Sequence, residues 1–365
     1  NRLSFSGDYY RRYTTDMYTA SVALPAVYGT GSPKGNNAEM KTDGWELSLS
    51  WRDSFKLGGK PFDYSIKAMV WDSKSVITKY VNDTGSLGTV KGFIENGGSP
   101  SSYYVGMTVG EIWGYTVAGL FRDQADIDSS AIHDFVQASD KVTRPGQVKI
   151  ADLDGNGFID PGNFAVDDHG DLRIIGNQSP RYRYGVNLSA RWNGIGLSVF
   201  LQGVGARDWY PGSDAGMFWG KYGRPFFALI PSIHNYTDDM YSAERNNWDT
   251  AYWPRMTTYQ SNGTKNWTRL LEIPNTRYIQ SAAYLRVKNI QLDYSFPKHI
   301  CSAIRLQGLK IYVNAENLFT FTPLHKYAPN FDPEGLSYDS DFASAADGYT
   351  YPILKSVTVG VNITF

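Results

Sequence analysis

With a single cysteine, Cys301, in 365 residues, the chain has no internal disulfide framework and no metal site built on thiolates. Charge is scarce too. Charged residues make up 19% and the net charge is -1, so no strong field draws in nucleic acid or an acidic substrate. No stretch approaches the roughly 18 consecutive apolar residues of a membrane helix. The five histidines (His133, His169, His234, His299 and His325) are scattered, with no HExxH pair. There is no GxSxG, and no glycine-rich loop that follows a strand and opens a helix. No catalytic constellation is visible, and the expectation is a protein that is not an enzyme. No signal peptide is present, and Asn1 opens almost directly into a strand, which suggests a piece of a larger protein.

Aromatic residues and glycine are abundant: 26 Tyr, 10 Trp and 36 Gly, at a mean hydropathy of -0.38. That balance fits an all-β protein wet on one side. The last residues, KSVTVGVNITF, show the pattern most clearly. Val357, Val359, Val361, Ile363 and Phe365 fall on one face; Ser356, Thr358, Gly360, Asn362 and Thr364 fall on the other. The segment matches the roughly 9–11 residues that a tilted strand needs to cross a bilayer, and it ends on an aromatic residue.

The same alternation predicts strands over about 2–12, 44–52, 62–70, 181–192, 195–202, 281–296 and 309–316. Trp45 and Trp51 bracket an apolar face holding Leu47 and Leu49, as interfacial aromatics do. The apolar phase flips near Lys288 and Asn289, which predicts a β-bulge. Residues 14–42, rich in Gly, Thr and Asn, read as a loop, and 73–179 as a very long connection. Connections alternate between long and short, as in outer-membrane barrels with short periplasmic turns and long external loops. The polar faces carry Arg2, Asp8, Glu46, Arg52, Lys67, Arg183, Arg191, Lys310 and Glu316, which suit a wet lumen.

Two loop regions hold candidate sites. DLDGNGFID places Asp152, Asp154 and Asn156 at alternate positions, then Gly157, the carbonyl of Phe158, and Asp160 at the ninth position, as in a calcium loop. Asn163 stands where such a loop has its bidentate Glu, so Asp167 or Asp168 would have to complete the shell. The alternative is an Asx-rich turn that caps itself without metal. The second region, 205–278, carries Trp209, Tyr210, Trp219, Trp248 and Trp253, with Tyr222 and Trp267, among acidic and amide residues. As a group these suit an external vestibule for sugar rings or peptide side chains. Individually, most of them read as the core of a large folded loop.

An ordered set of stretches carries a family resemblance: NAEMKTDGWELSLSWRD, VGEIWGYTVAGLF, ADLDGNGFID, IIGNQSPRYRYGVNLSARWNGIGLSVFLQG, YIQSAAYLRVKNIQLDYSFP, LKIYVNAENLFTFT, the FDPE of residues 331–334, and the terminal strand. Across nearly the whole chain this resembles the C-terminal barrel portion of the SusC/RagA family of TonB-dependent transporters of Bacteroidetes outer membranes. The resemblance implies that residues 1–365 are a transmembrane antiparallel β-barrel portion, the last eight or so strands of a 22-stranded barrel with long external loops. It also implies a SusD-like surface lipoprotein as partner, energy from TonB through the missing N-terminal part, an oligosaccharide or peptide as cargo, and dimers of the paired proteins. A second reading is a non-transporting barrel, an adhesin or surface receptor. A third, a barrel enzyme, has no motif to support it.

Overall fold

The computed structural model describes residues 2–21, 27, 29, 33–82, 85–87, 103–132, 143–211, 215–220, 239–256, 273–336 and 353–365. In chain order the strands begin with β1 (Leu3–Ala20), β2 (Lys34–Leu57) and β3 (Lys60–Lys79). Four short ones follow: β4 (Glu111–Tyr115), β5 (Val117–Leu120), β6 (Val148–Ile150) and β7 (Leu172–Asn177). Then come β8 (Arg181–Trp192), β9 (Ile195–Ala206), β10 (Asp208–Trp209), β11 (Gln280–Ser281), β12 (Tyr284–Ser295), β13 (Gly308–Phe321) and β14 (Ser356–Thr364).

Eight of these make one antiparallel sheet in the order β1-β2-β3-β8-β9-β12-β13-β14. Neighbours in the sheet are also neighbours in sequence once the short strands are set aside, so the sheet is a meander with β1 and β14 as its edges. Its connections at one end are tight. Gly58 and Gly59 turn β2 into β3, and Asn193 and Gly194 turn β8 into β9, all four at positive φ, as a two-residue hairpin of twist-matching hand requires. A short helix, Lys298–Ala303, joins β12 to β13 at that end and buries Cys301. The long connections all leave from the other end.

The sheet is inside out compared with a water-soluble one. Its regular apolar face is exposed: Leu49, Ile66, Leu197, Leu292, Val313 and Val359 are all 41% accessible or more. Water would penalise such a continuous face at about 25 cal/mol per Å², whereas hydrocarbon would not. The opposite face carries Ser50, Lys67 and Asn187 in one cross-strand row and Ser189, Ser198, Gln291 and Asn314 in another. The buried core lies in the connections instead. Tyr115, Leu120, Ile150, Leu172, Trp219, Trp253, Tyr278 and Phe331 belong to one cluster.

Two sequence expectations change. Residues 14–20 and 34–42 are not loop: they continue β1 and β2. Beyond the bilayer both faces of a strand are free to be polar, so the alternation stops while the ladder of backbone bonds goes on. Likewise β13 runs on to Phe321. The bulge near Lys288 is present as a register shift between Val287 and Asn289 against both neighbouring strands.

Candidate functional site

The described parts of the connections from β3 to β8, β9 to β12 and β13 to β14 fold into a unit at one end of the sheet. Three small two-stranded pieces frame it: β4 with β7, β5 with β6, and β10 with β11. Gly114 allows its backbone to pass against that of Pro274, where any Cβ would overlap, and Tyr115 N–H donates to the Pro274 carbonyl at 2.9 Å. At the centre is an aromatic packing. Trp253 and Tyr278 lie nearly parallel with centroids 5.4 Å apart. Phe218 stands edge-on to Trp219 at 4.8 Å, and Trp209 meets Phe331 at 5.1 Å. Tyr252 stacks on Tyr327 at 3.7 Å. The Asn275 amide donates to the Tyr210 hydroxyl at 2.7 Å, so that buried polar tip is satisfied.

Of the five aromatics singled out in the sequence, Trp209, Tyr210, Trp219 and Trp253 are at most 2% exposed. They have no ring face to offer a ligand, because each is consumed in the core that a folded loop of this size needs. Trp248 packs against that core from its edge and keeps partial exposure. Tyr222 and Trp267 lie outside the described residues.

The DLDGNGFID turn folds around its own carboxylates. Asp152 accepts the N–H of Gly155 at 2.6 Å and of Gly157 at 2.9 Å. Asp154 accepts from Asn156 N–H at 3.0 Å, and the Asn156 side chain accepts from Phe158 N–H at 2.7 Å while donating to Asp160 at 3.0 Å. Gly155 and Gly157 are both at positive φ. The third carboxylate of the cluster is Asp171, not Asp167 or Asp168: oxygens of Asp152, Asp154 and Asp171 lie within 4.8 Å of one another. Asp168 instead accepts from the Asn163 side chain. Asp171 is fully buried and accepts from Leu153 N–H at 2.6 Å and Asp160 N–H at 3.0 Å. Burial pushes its carboxyl above the ordinary carboxylate range, and the charges of Asp154 and Asp152 push the same way. Three hard oxygen donors on a glycine-hinged turn suit a calcium ion. The Asn156 and Asp160 side chains, by contrast, are tied to each other. No spacing rule in the sequence pointed to Asp171.

A charge clamp fastens the unit to the polar face of the sheet. Arg286 on β12 is 3% exposed. It donates to Asp332 and Glu334 at 2.5 Å each and to the Thr320 hydroxyl at 2.9 Å. Lys288 adds a contact of 2.9 Å to Glu334. Arg207 donates to the backbone carbonyls of Pro333 and Leu336. The FDPE segment is thus held by two arginines on different strands' ends, which links the loop unit rigidly to the wall.

An antiparallel sheet with exposed apolar and inner polar faces, tight turns at one end and a folded loop unit at the other, is a section of a transmembrane β-barrel wall. No family model matches the chain. It is 25% identical over its whole length to TonB-dependent receptor P3 and 22% identical over 98% of its length to TonB-dependent receptor P26, both of Formosa agariphila. The chain spans about a third of the length of these curated relatives, 32% in each case. In fold it is similar over its full length to a RagAB peptide transporter structure (TM-score 0.62, 18% identity) and to the RagAB peptide importer in an open-open state (TM-score 0.63, 19% identity), covering 33% of each of those chains. In sequence the chain is thus similar over its whole length to TonB-dependent receptors, and in fold to a third of a transporter barrel, which fits the C-terminal barrel portion that the SusC/RagA resemblance implies.

Proposed function

We propose that this chain is the wall and external loop unit of a TonB-dependent importer that takes up oligosaccharides or peptides. The observation that carries this reading is the fixed loop unit mounted on an inside-out sheet, which forms one side of a mouth above a polar lumen. In this reading a SusD-like surface lipoprotein closes over that mouth to capture cargo. TonB supplies the energy through parts of the protein beyond this chain, and the paired proteins dimerise. The loop aromatics act as a scaffold, and cargo contacts fall to partly or fully exposed loop residues, Trp248 among the partly exposed ones. Asp152, Asp154 and Asp171 hold a calcium ion that stiffens the loop unit and takes no part in moving cargo.

The test is uptake of fluorescent oligosaccharide and peptide pools by cells carrying the intact protein, with and without TonB. Internalisation of one pool that stops when TonB is disrupted supports import and identifies the cargo class. Surface binding that is the same in both strains, with nothing internalised, overturns import in favour of an adhesin or receptor.

A further inference from the structure

β1, β2 and β3 outrun the bilayer. Cross-strand rows on their outward face show where it ends. Gly7, Leu47 and Val70 form one row, and Tyr9, Trp45 and Asp72 the next. Asp72 is buried and locked by the Arg181 fork at 2.6 and 2.5 Å, so it carries no free charge. The row above is Arg11, Asp43 and Lys74, followed by Tyr13, Lys41 and Val76. The change from apolar to charged comes directly beyond the interfacial Trp45, at head-group depth.

One carboxylate serves two of the three cations there. Arg11 Nε donates to Asp43 Oδ1 at 2.5 Å, and Lys41 Nζ lies 3.3 Å from Oδ2. The Tyr9 hydroxyl donates to Asp43 at 3.2 Å. Lys74 is exposed and makes no ion pair among the described residues. The patch therefore keeps an excess of two positive charges. Arg11 and Lys41 are 46% and 32% accessible, so they retain N–H donors for another acceptor.

We propose that this patch binds the phosphate of an anionic, phosphorylated lipid of the surrounding outer leaflet. Charge and depth both favour that occupant. Asp43 orients the guanidinium and one ammonium side by side, Lys74 adds a point charge from the next strand, and a phosphate accepts from all three. Tyr9, Tyr13 and Trp45 flank it as rings that sit between acyl chains and head groups. Basic residues near a charged membrane surface each add to the attraction, so loss of all three should weaken binding at least about tenfold.

The experiment uses the intact protein extracted from outer membranes in mild detergent, with monophosphoryl lipid A as probe and its dephosphorylated form as control, read by native mass spectrometry. The parent should bind the phosphorylated probe and discriminate against the control. The triple variant Arg11→Gln, Lys41→Gln, Lys74→Gln should lose at least about tenfold in affinity for the phosphorylated probe. Lys67→Gln, on the polar face, should change nothing. Equal binding by the triple variant, or no discrimination by the parent, overturns the proposal. So does a lipid-free dimer that the triple variant abolishes, since that would assign the face to a second copy. If the triple variant does not assemble, the parent still decides: added salt releases a lipid held by phosphate and leaves one held by its acyl chains.

Discussion

The ring of Tyr312 covers Gly360, the residue directly opposite it across β13 and β14, so closely that a Cβ at position 360 would overlap the ring. Tyr10 covers Gly44 across β1 and β2 in the same way, and Tyr184 covers Gly203 across β8 and β9. A strand glycine exposes backbone and weakens packing; a cross-strand aromatic restores the cover. Gly360→Ala should therefore cost about 1–3 kcal/mol through overpacking. Adding Tyr312→Ala should recover part of that loss, because the two residues share one space. Urea unfolding of the four members of the cycle, refolded in lipid vesicles, measures the coupling; strict additivity would contradict it.

Leu197 and Val359 stand in the middle of the outward apolar face and are 41% and 72% exposed. Arg at either position should cost about 2–4 kcal/mol in a bilayer. The same vesicle unfolding reads it, and a change of a few tenths would mean that these side chains do not face lipid.

Arg286 is buried against two carboxylates. Arg286→Ala leaves Asp332 and Glu334 without their fork and should cost about 3–5 kcal/mol. Neutralising the partners as well, with Asp332→Asn and Glu334→Gln, should return part of it. Proteolysis of residues 322–336 in the intact protein should accelerate in the single variant more than in the triple.

The acidic turn has a signed pH dependence. Asp171 is raised by burial, then by Asp154 and Asp152. Its contribution is full below the ordinary carboxylate value of about 4 and is lost as pH rises through the raised one. Asp152 is lowered, first by the Gly157 N–H; its contribution is present above that ordinary value and is lost as pH falls through the lowered one. In metal-free buffer the turn should loosen between mild acid and neutrality, and calcium, which binds the ionised carboxylates, should restore it at neutral pH. Hydrogen exchange over residues 152–171 in the intact protein, corrected for intrinsic rates, checks this. Exchange at neutral pH that ignores both calcium and chelator would remove the metal from the account.

Where the bilayer imposes a period, the sequence was readable. β8 occupies the same residues as the alternation of Tyr184, Val186, Leu188 and Ala190 predicts, and the phase flip at Lys288 marks a real bulge. Where lipid stops, the signal stops. Lys34–Gly44 is strand through backbone pairing and through contacts of Ala38 and Thr42, both buried, none of which imposes alternation. Within the loop unit, the tryptophans showed that a core exists but not which rings fill it. Asp171 joined Asp152 and Asp154, and Arg286 joined Asp332, through folding that no local spacing encodes.

The most direct test of the central claim, that β14 and its neighbours are a lipid-bounded wall, is a label scan along the terminal strand. Single cysteines at positions 357 to 359 and 361 to 364, with Cys301 replaced, would carry a fluorophore in the intact protein in vesicles; position 360 is left out because Tyr312 covers it. Quenchers confined to lipid and to water would be compared at each site. The account predicts period two: lipid quenching at 357, 359, 361 and 363, and water quenching at 358, 362 and 364. Water quenching at every position would contradict it.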